Sequence, residues 1–327
     1  MKPRIGITIG DPAGIGPEIV LKALSHPAVK RLCRPVVFGN TLFLSRVAAR
    51  VLRKKYLPPA EYFDVPGAFL PGLSFGKITA WSGRASGLFI AEAVRAALSG
   101  EIDAVVTAPI NKQSFRLGGW GKRFTGHTEM LAGLTGARRV ALMLVHGCLR
   151  AVHVTSHVPL KKVSAALTRA RVLETISLTH AALRRMGFAR PRIAVCGFNP
   201  HAGENGLLGD EERRVIAPAV AAAKRNGIRA EGPLSADSVW PLVLAGVYDV
   251  GVAMYHDQGQ IPIKLLSFKA GPSGTQVRGI NITLGLPIIR TSVAHGTAYE
   301  IAGKGTASDA SLVDAICLAV TMAKRKI

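Results

Sequence analysis

The chain has 327 residues, 48% of them hydrophobic and 6% aromatic, a length and an aliphatic balance that favour an α/β enzyme with two domains or one large unit. Its 42 Lys and Arg against 20 Asp and Glu give a net charge of +22, which favours anionic partners, from nucleic acid to phosphorylated metabolites. The basic residues lie scattered without interleaved aromatic residues, which disfavours a nucleic-acid-binding protein, and no apolar run approaches the roughly 20 residues of a membrane span.

Strand-like and helix-like segments alternate along the chain. Strands are predicted at 3–10, 34–39, 102–110, 137–147, 149–160, 191–197 and 248–255. Helices are predicted at 11–24 after a turn, and at 85–100, 169–187, 209–227 and 311–323. The glycine-rich run 267–279 is predicted as a long loop. This rhythm indicates an α/β fold with a mainly parallel sheet.

Histidines follow several of the strand-like runs, where ligands bind in α/β sheets. They are His127, His157, His201, His256 and His295. A single such histidine is usually a buried polar residue or a helix cap, but five of them strain that interpretation. Three neutral imidazoles from separate strand ends would make a catalytic metal site. The spacing alone is weak support, because these five histidines lie at least 30 residues apart along the chain.

A series of longer motifs resembles one known family, the 4-hydroxythreonine-4-phosphate dehydrogenases (PdxA). The motifs occur in order from residue 10 to about 308, nearly the whole chain. They are GDPAGIGPEI, TAPINK, FTGHTEMLA, HVPL, GFNPHAGENGLLGDEE, GPLSADS, YHDQGQIPIK and GINITLGLPIIRTSVAHGTAYEIAGKGTAS.

The resemblance implies a fold and a domain organisation. The family has the α/β fold of isocitrate and isopropylmalate dehydrogenases, with two α/β/α domains and a cleft between them. Residues 1–130 and 280–327 would form one domain with the cofactor loop, and residues 131–279 a central domain with metal and dimer contacts. The family works as a homodimer whose active sites are shared between subunits. Because the N-terminus enters a strand without a signal sequence, we expect a cytoplasmic protein.

The resemblance also implies the reaction and the site. The family oxidises 4-phosphohydroxy-L-threonine with NAD or NADP, and the 3-oxo product decarboxylates to 3-amino-2-oxopropyl phosphate in pyridoxal phosphate biosynthesis. One divalent metal ion, zinc, magnesium or cobalt, is held by residues that match His157, His201 and His256. Substrate contacts match His127, Thr128, Lys264, Asn281 and Arg290. The loop against the cofactor matches His295, Gly296, Thr297 and Ala298, and Lys264 and Asp237 are the candidate catalytic residues.

Several of these residues have an ordinary structural alternative. Lys264 stands in an apolar run and could extend its ammonium group to solvent. Thr128 and Asp237 could each be an N-cap at a helix start. Asp257 is either a partner that orients His256 or a helix cap. Arg290 could belong to a structural ion pair.

Two departures from the family pattern leave the substrate open. Lys264 and Asn281 are separated by a longer segment than is usual, and Ala294 stands where the family usually has Asp. A long segment between two substrate contacts can reshape a pocket. The alternative is a related dehydrogenase of threonate or erythronate 4-phosphate, or of a dihydrodiol carboxylate.

Overall fold

The computed structural model describes residues 1–271 and 274–325. Its strands lie at Arg4–Thr8 (β1), Arg34–Gly39 (β2), Glu61–Asp64 (β3), Ala104–Thr107 (β4), Ala141–His146 (β5), Leu149–His153 (β6), Ile193–Cys196 (β7), Ala230–Leu234 (β8), Val250–Ala253 (β9), Phe268–Gly271 (β10), Gly274–Val277 (β11), Ile280–Leu284 (β12) and Arg290–Val293 (β13). Its helices lie at Gly16–Ser25 (α1), Pro27–Leu32 (α2), Thr41–Arg50 (α3), Ala80–Leu98 (α4), Lys112–Leu117 (α5), His127–Thr135 (α6), Val163–Ala166 (α7), Arg169–Met186 (α8), Ala217–Arg225 (α9), Ala236–Leu244 (α10), His256–Ser267 (α11) and Ala310–Ala323 (α12). Within the described residues, none of the helices has the length and apolar composition to cross a membrane.

The described chain divides into two units. The first comprises Met1–Arg138 and the described residues from Leu286 onward, and the second comprises Arg139–Gly285. The division expected from the resemblance falls a few residues earlier, at 130/131 and 279/280. The difference concerns β12, whose five residues pair antiparallel with β5. These pairings make β12 part of the second unit.

The first unit has a parallel sheet in the order β3-β2-β1-β4-β13. Helices α4 and α12 both pack on β1 and β4. Ile5 and Ile7 of β1 are therefore completely buried, as are Val105 and Val106 of β4. Covered parallel strands consist of continuous apolar residues, which explains why these segments were recognisable from sequence. The carboxyl ends of all five strands lie at one edge of this sheet.

The second unit has a mixed sheet in the order β12-β5-β6-β9-β7-β8. Strand β5 runs antiparallel to both of its neighbours, β12 and β6, whereas β6, β9, β7 and β8 are parallel to one another. Helices α8, α10 and α11 pack on this sheet. Because β6, β7 and β9 are parallel, the segments that follow them leave the sheet at the same edge. These segments carry His157, His201 and His256.

The segment after β9 differs from the sequence-based expectation of a loop. Helix α11 begins at His256, directly after the extended Tyr255, and continues to Ser267. Gly259 and Pro262 both lie inside this helix. Pro262 lacks only the N–H that would bond the carbonyl of Gln258 one turn earlier, and the helix persists around it.

The run 267–279 also differs from its prediction as a long loop. Strands β10 and β11 pair antiparallel, with Phe268 opposite Val277 and Gly271 opposite Gly274. Glycine was interpreted there as a mark of irregular backbone. The ladder hydrogen bonds of this short antiparallel pair satisfy the same backbone groups, so the glycines do not prevent strand structure here.

Candidate active site

His256 stands at the first position of α11, where a carboxylate holds its ring. The His256 Nδ1 lies 2.6 Å from the Asp257 Oδ1. Tyr255 occupies the N-cap position, so Asp257 is the orienting partner of the imidazole and is not a helix cap. An Nδ1–H that donates to a carboxylate leaves Nε2 with its lone pair outward. Metal-binding histidines have this arrangement.

His201 has a carboxylate partner of the same kind. Its Nδ1 lies 2.6 Å from the Glu204 Oε1. The hydrogen bond with Glu204 and the charge of that carboxylate raise the pKa of His201, and Asp237 adds a smaller effect in the same direction. His201 is the first of five consecutive residues with left-handed backbone, from His201 to Asn205. Four of these five are not glycine, so a surrounding constraint must hold the segment.

The buried carboxylate of Glu212 supplies that constraint. Its Oε1 accepts the backbone N–H groups of Phe198 and Asn199, both at 2.7 Å. Its Oε2 accepts the side-chain amide of Asn199 at 2.9 Å. Three hydrogen bonds to one buried anion fix the start of the His201 segment. The sequence analysis did not single out Glu212, although the motif that contains it did mark the segment.

His157 lies near His256, with 5.8 Å between the ring centroids. Two imidazoles that bind one tetrahedral ion through Nε2 at 2.0–2.1 Å would have centroids about 5 Å apart. His157 also has a left-handed backbone, with φ of 50°. Among residues 1–271 and 274–325, however, no group of three or more His, Cys, Asp or Glu side chains is placed to hold a metal ion. The structure therefore brings together two of the three expected ligands.

His153 also lies in this cluster, although the sequence analysis left it as a structural residue. Its ring centroid lies 6.2 Å from that of His256. The side chain is buried, and burial lowers the pKa of His153 to about 4. A Cβ added at Gly259 of α11 would lie only 2.6 Å from the His153 Nε2, so the close packing of this ring on the helix requires glycine there. The sequence offered one indication of this role, because His153 stands four residues before His157, at the end of β6.

The other expected residues of the second unit lie on separate elements. Asp237 is in the first turn of α10 after Ser235, so it is not the N-cap. The Ser235 hydroxyl donates to its carboxylate and lowers the pKa of Asp237, and His201 contributes to the same shift. Lys264 is exposed on α11, about 12 Å along the axis from His256 at 1.5 Å per residue. Asn281 is on β12, opposite Leu144 of β5.

In the first unit, Arg290 is buried, and the part-buried His127 lies within range of its charge. Arg290 is 3% exposed at the start of β13, and its Nη2 donates to the Thr107 Oγ1 at 2.6 Å. Burial lowers the pKa of Arg290 to about 9, so the guanidinium stays charged at neutral pH. Burial lowers the pKa of His127, and the Arg290 charge lowers it further, which keeps this imidazole neutral. Thr107 was not predicted as a site residue.

Helix α6 begins at His127, and its N-terminus adds to this positive region. Gly126 is at the N-cap position, so Thr128 lies inside the first turn and is not the cap. Lys112 is close by, since a Cβ added at Gly126 would lie 3.4 Å from the Lys112 Cε. The exposed N–H groups of a helix start and nearby cations favour an anion.

The loop from His295 to Ala298 is held against the turn that precedes α1. The Ile15 N–H donates to the Thr297 carbonyl at 3.0 Å. A Cβ on Gly14 would lie 2.9 Å from the Thr297 Cβ, so only glycine permits this approach. Further along, the buried Glu18 accepts the N–H of Ala307 at 2.7 Å. Residues 297–307 are therefore held at one end by Ile15, which precedes α1, and at the other end by Glu18 of α1.

Asp11 joins this loop to a neighbouring strand end. The Tyr299 hydroxyl donates to the Asp11 Oδ2 at 2.8 Å, and the Ala13 N–H donates to Oδ1 at 2.8 Å. The Ser114 hydroxyl lies 3.0 Å from the Tyr299 oxygen. Asp11 is completely buried, and this burial raises its pKa although the hydrogen bonds lower it. The sequence analysis did not identify this network.

Comparison with known proteins identifies the family. The family model "Pyridoxal phosphate biosynthetic protein PdxA" matches residues 31–319. A 4-hydroxythreonine-4-phosphate dehydrogenase of Geobacter metallireducens is 47% identical, over 99% of this chain and 97% of the relative. The chain belongs to the PdxA family. It is therefore an enzyme, a dehydrogenase, and membership implies a nicotinamide cofactor.

Other PdxA relatives differ in the substrate that their names give. A D-threonate 4-phosphate dehydrogenase of Cupriavidus necator is 45% identical, over 99% of this chain and 98% of the relative. A crystal structure of 4-hydroxythreonine-4-phosphate dehydrogenase from Klebsiella pneumoniae has a TM-score of 0.86 at 40% identity, covering 99% of both chains. This likeness confirms the α/β fold class expected from the resemblance.

The Asp11 network predicts a pH-dependent effect of Tyr299→Phe. Losing the hydroxyl removes a hydrogen bond to a buried carboxylate, which costs about 1.5–3 kcal/mol while Asp11 is charged. The pKa of Asp11 then rises further, so the loss of stability is largest above that pKa. It shrinks as the pH falls towards the unfolded value of about 3.9 and the carboxyl is protonated. Thermal unfolding from pH 8 to pH 4.5 measures the difference from the unsubstituted protein.

Tyr62→Phe is the matched control, because the Tyr62 hydroxyl donates to a neutral carbonyl, that of Pro58. Its effect on Tm should not change with pH over this range. A Tyr299→Phe effect that is equally independent of pH would contradict a charged Asp11 as the hydrogen-bond acceptor.

Proposed function

We propose that this chain is a metal-dependent NAD(P) oxidoreductase that oxidises 4-phosphohydroxy-L-threonine at its secondary hydroxyl. The carbinol carbon gives a hydride to the nicotinamide and the hydroxyl loses its proton, which yields 2-amino-3-oxo-4-phosphohydroxybutanoate. This β-keto acid then loses carbon dioxide to give 3-amino-2-oxopropyl phosphate, a step in pyridoxal phosphate biosynthesis. The pairing of His201 and His256 with carboxylates, in a chain of the PdxA family, carries the proposal.

The proposed ligands of the divalent ion, zinc, magnesium or cobalt, are His157, His201 and His256. Neutral imidazoles suit such an ion, and the two carboxylate pairings favour the tautomer with Nε2 outward. Bound there, the ion would lower the pKa of the substrate hydroxyl and polarise the new carbonyl. Because one described chain brings together only the His157–His256 pair, we propose that the set of three is completed in the homodimer.

The proposed partners of the substrate's anionic groups are Arg290, His127 and Thr128. A buried guanidinium can bind a phosphate or carboxylate through two parallel N–H bonds. The neutral His127 can donate one further hydrogen bond, and the start of α6 beside Lys112 favours negative charge. Asn281 and Lys264 are the further proposed substrate contacts.

Lys264 and Asp237 are the proposed catalytic groups, with different roles. The low pKa of Asp237 keeps it a carboxylate near His201, which suits an electrostatic role better than proton transfer. Lys264 is on the same helix as His256, and we assign it proton transfer at the substrate hydroxyl. The proposed cofactor loop is His295 to Ala298, and the choice between NAD and NADP stays open. The cytoplasmic location inferred from the sequence remains a prediction.

A homodimer is part of the proposal, and α11 offers an apolar face for it. Ile261 and Leu265, four residues apart on this helix, are 64% and 78% exposed. Phe268 follows and is 47% exposed. Large apolar side chains grouped in this way commonly mark a protein–protein contact. The same helix begins with His256, so a contact there would lie beside a proposed metal ligand.

The names of relatives and two features of this chain favour a second candidate substrate. Relatives about as similar as the Geobacter enzyme include one named D-threonate 4-phosphate dehydrogenase. The β10–β11 hairpin stands between Lys264 and Asn281, and Ala294 replaces the usual Asp before the cofactor loop. Oxidation of threonate or erythronate 4-phosphate, or of a dihydrodiol carboxylate, is therefore the alternative.

Turnover on a set of substrates tests the proposed reaction. NAD(P)H formation at 340 nm is measured with metal-loaded protein on 4-phosphohydroxy-L-threonine, beside D-threonate and D-erythronate 4-phosphates. We expect the highest kcat/KM on the amino acid and its loss with a chelator. Turnover on the sugar acids alone would move the chain to the alternative. Turnover that resists thorough chelation would contradict the metal dependence.

Arg290→Lys tests the anion contact with the charge retained. Lysine cannot form the two-pronged contact, so we expect KM to rise about tenfold or more, as for a lost hydrogen bond of 1.5–3 kcal/mol to a charged group. Arg192→Lys is the control, because Arg192 is half-exposed and pairs with Asp249. An unchanged KM in a folded Arg290→Lys protein would return Arg290 to a structural role.

Leu265→Glu tests the proposed dimer face. We expect the protein to sediment as a species of 34.5 kDa rather than twice that mass, because a charge opposes burial of this face. Leu42→Glu, at a position 62% exposed in the first unit, should leave the dimer intact. A Leu265→Glu protein that remains dimeric would exclude this face as the interface.

A further inference from the structure

We infer that Gln258 is a positioning residue that fixes the His201 segment and the His256 helix relative to each other. The inference rests on the proposed function, in which each of these histidines is a metal ligand within the homodimer. Gln258 lies in the first turn of α11, two residues after His256. Its side-chain oxygen accepts the Met254 N–H at 2.6 Å, and its side-chain nitrogen donates to the Gly197 carbonyl at 2.8 Å.

These two backbone groups belong to neighbouring parallel strands. Strand β7 pairs with β9 so that Val195 stands opposite Val252. Continuing that register by two residues places Gly197 opposite Met254, just beyond the last pair. The Gln258 amide is inserted at this point and bonds a group on each strand. It therefore replaces the ladder hydrogen bonds that would otherwise continue there and satisfies backbone groups that need partners.

Both strands end just before this amide, and each leads to a proposed ligand. The chain beyond Gly197 passes Phe198 and Asn199, held by Glu212, and reaches His201. The chain beyond Met254 passes Tyr255 and reaches His256. The rings of Phe198 and Tyr255 meet edge-to-face at 6.1 Å, so the two segments are in contact beyond the amide. Gln258 therefore sets the distance between the two strand ends, at the point where both segments leave the sheet.

The chemistry of the amide makes this role specific. One end must accept and the other must donate, and glutamine does both at a fixed separation. Glutamate could still accept from Met254, but it would place a carboxylate oxygen against the Gly197 carbonyl. Methionine has a similar length and could make neither bond. Gln258→Glu therefore removes only the hydrogen bond to Gly197, whereas Gln258→Met removes the hydrogen bonds to both Gly197 and Met254.

The test compares Gln258→Met and Gln258→Glu with Gln260→Met, a buried glutamine two residues further along the same helix. Zinc affinity is measured by competition with a chromophoric chelator. Backbone hydrogen exchange is measured on the metal-free protein for peptides that cover residues 197–205 and 254–258. We expect at least a tenfold higher Kd and faster exchange in both peptides for Gln258→Met. Gln258→Glu should affect mainly residues 197–205, and Gln260→Met should retain the zinc affinity of the unsubstituted protein.

The two readouts separate this inference from the proposed function. Unchanged exchange and unchanged zinc affinity in both Gln258 variants would overturn the positioning role. If the unsubstituted protein binds no zinc, magnesium or cobalt, the proposed metal site fails. Faster exchange confined to the Gln258 variants would then still support the amide as the link between the two segments. Equal loss of affinity in Gln260→Met would indicate a general loosening of α11 and would contradict the assignment to Gln258.

Discussion

The backbone of Met254 is the point at which the three histidine-bearing segments of the second unit are joined. Its N–H is held by Gln258, which also bonds the strand end leading to His201. Its carbonyl accepts both the N–H and the hydroxyl of Thr155, two residues before His157. Parallel strands deliver their carboxyl ends to one edge, but backbone groups beyond the last ladder pair need new partners. Side chains close to the proposed ligands supply those partners. The same hydrogen bonds therefore stabilise this edge of the sheet and position the histidines.

The first unit satisfies its strand ends in a similar way, with a buried carboxylate in place of the amide. Asp11 follows β1, and its oxygens accept from Ala13 and from Tyr299, which directly follows the proposed cofactor loop. Glu18, in the first turn of α1, holds the same segment further along, at Ala307. A loop fixed at both ends loses little further entropy when a ligand binds it. The proposed cofactor loop would therefore be largely formed before NAD or NADP arrives.

Strands that have a local apolar pattern could be predicted from the sequence, whereas side chains that act through contacts outside such a pattern could not. The apolar runs of β1, β4 and β9 are buried on both faces, so they were recognisable without the structure. Helix α11 was missed because the strand before it was expected to run into a loop; within the helix, Gly259 permits the close contact with His153. The carboxylate pairing of His201 and His256 is local, yet only the structure shows Nδ1 within 2.6 Å of each acid. Glu212, Gln258 and Asp11 act on groups that their own sequence neighbourhoods do not reveal, and the roles of Lys264 and Asn281 stay predictions.

Metal stoichiometry tests the central claim of this account most directly. Purified protein is dialysed against limiting zinc and then against metal-free buffer, and bound metal per chain is determined by elemental analysis. The same measurement is made on His201→Ala and on His146→Ala, a histidine whose Nδ1 lies against the Arg278 carbonyl instead. The account predicts one ion per chain in the unsubstituted protein and in His146→Ala, and its loss in a folded His201→Ala protein. Full stoichiometry in His201→Ala would contradict the assignment of His201 as a ligand.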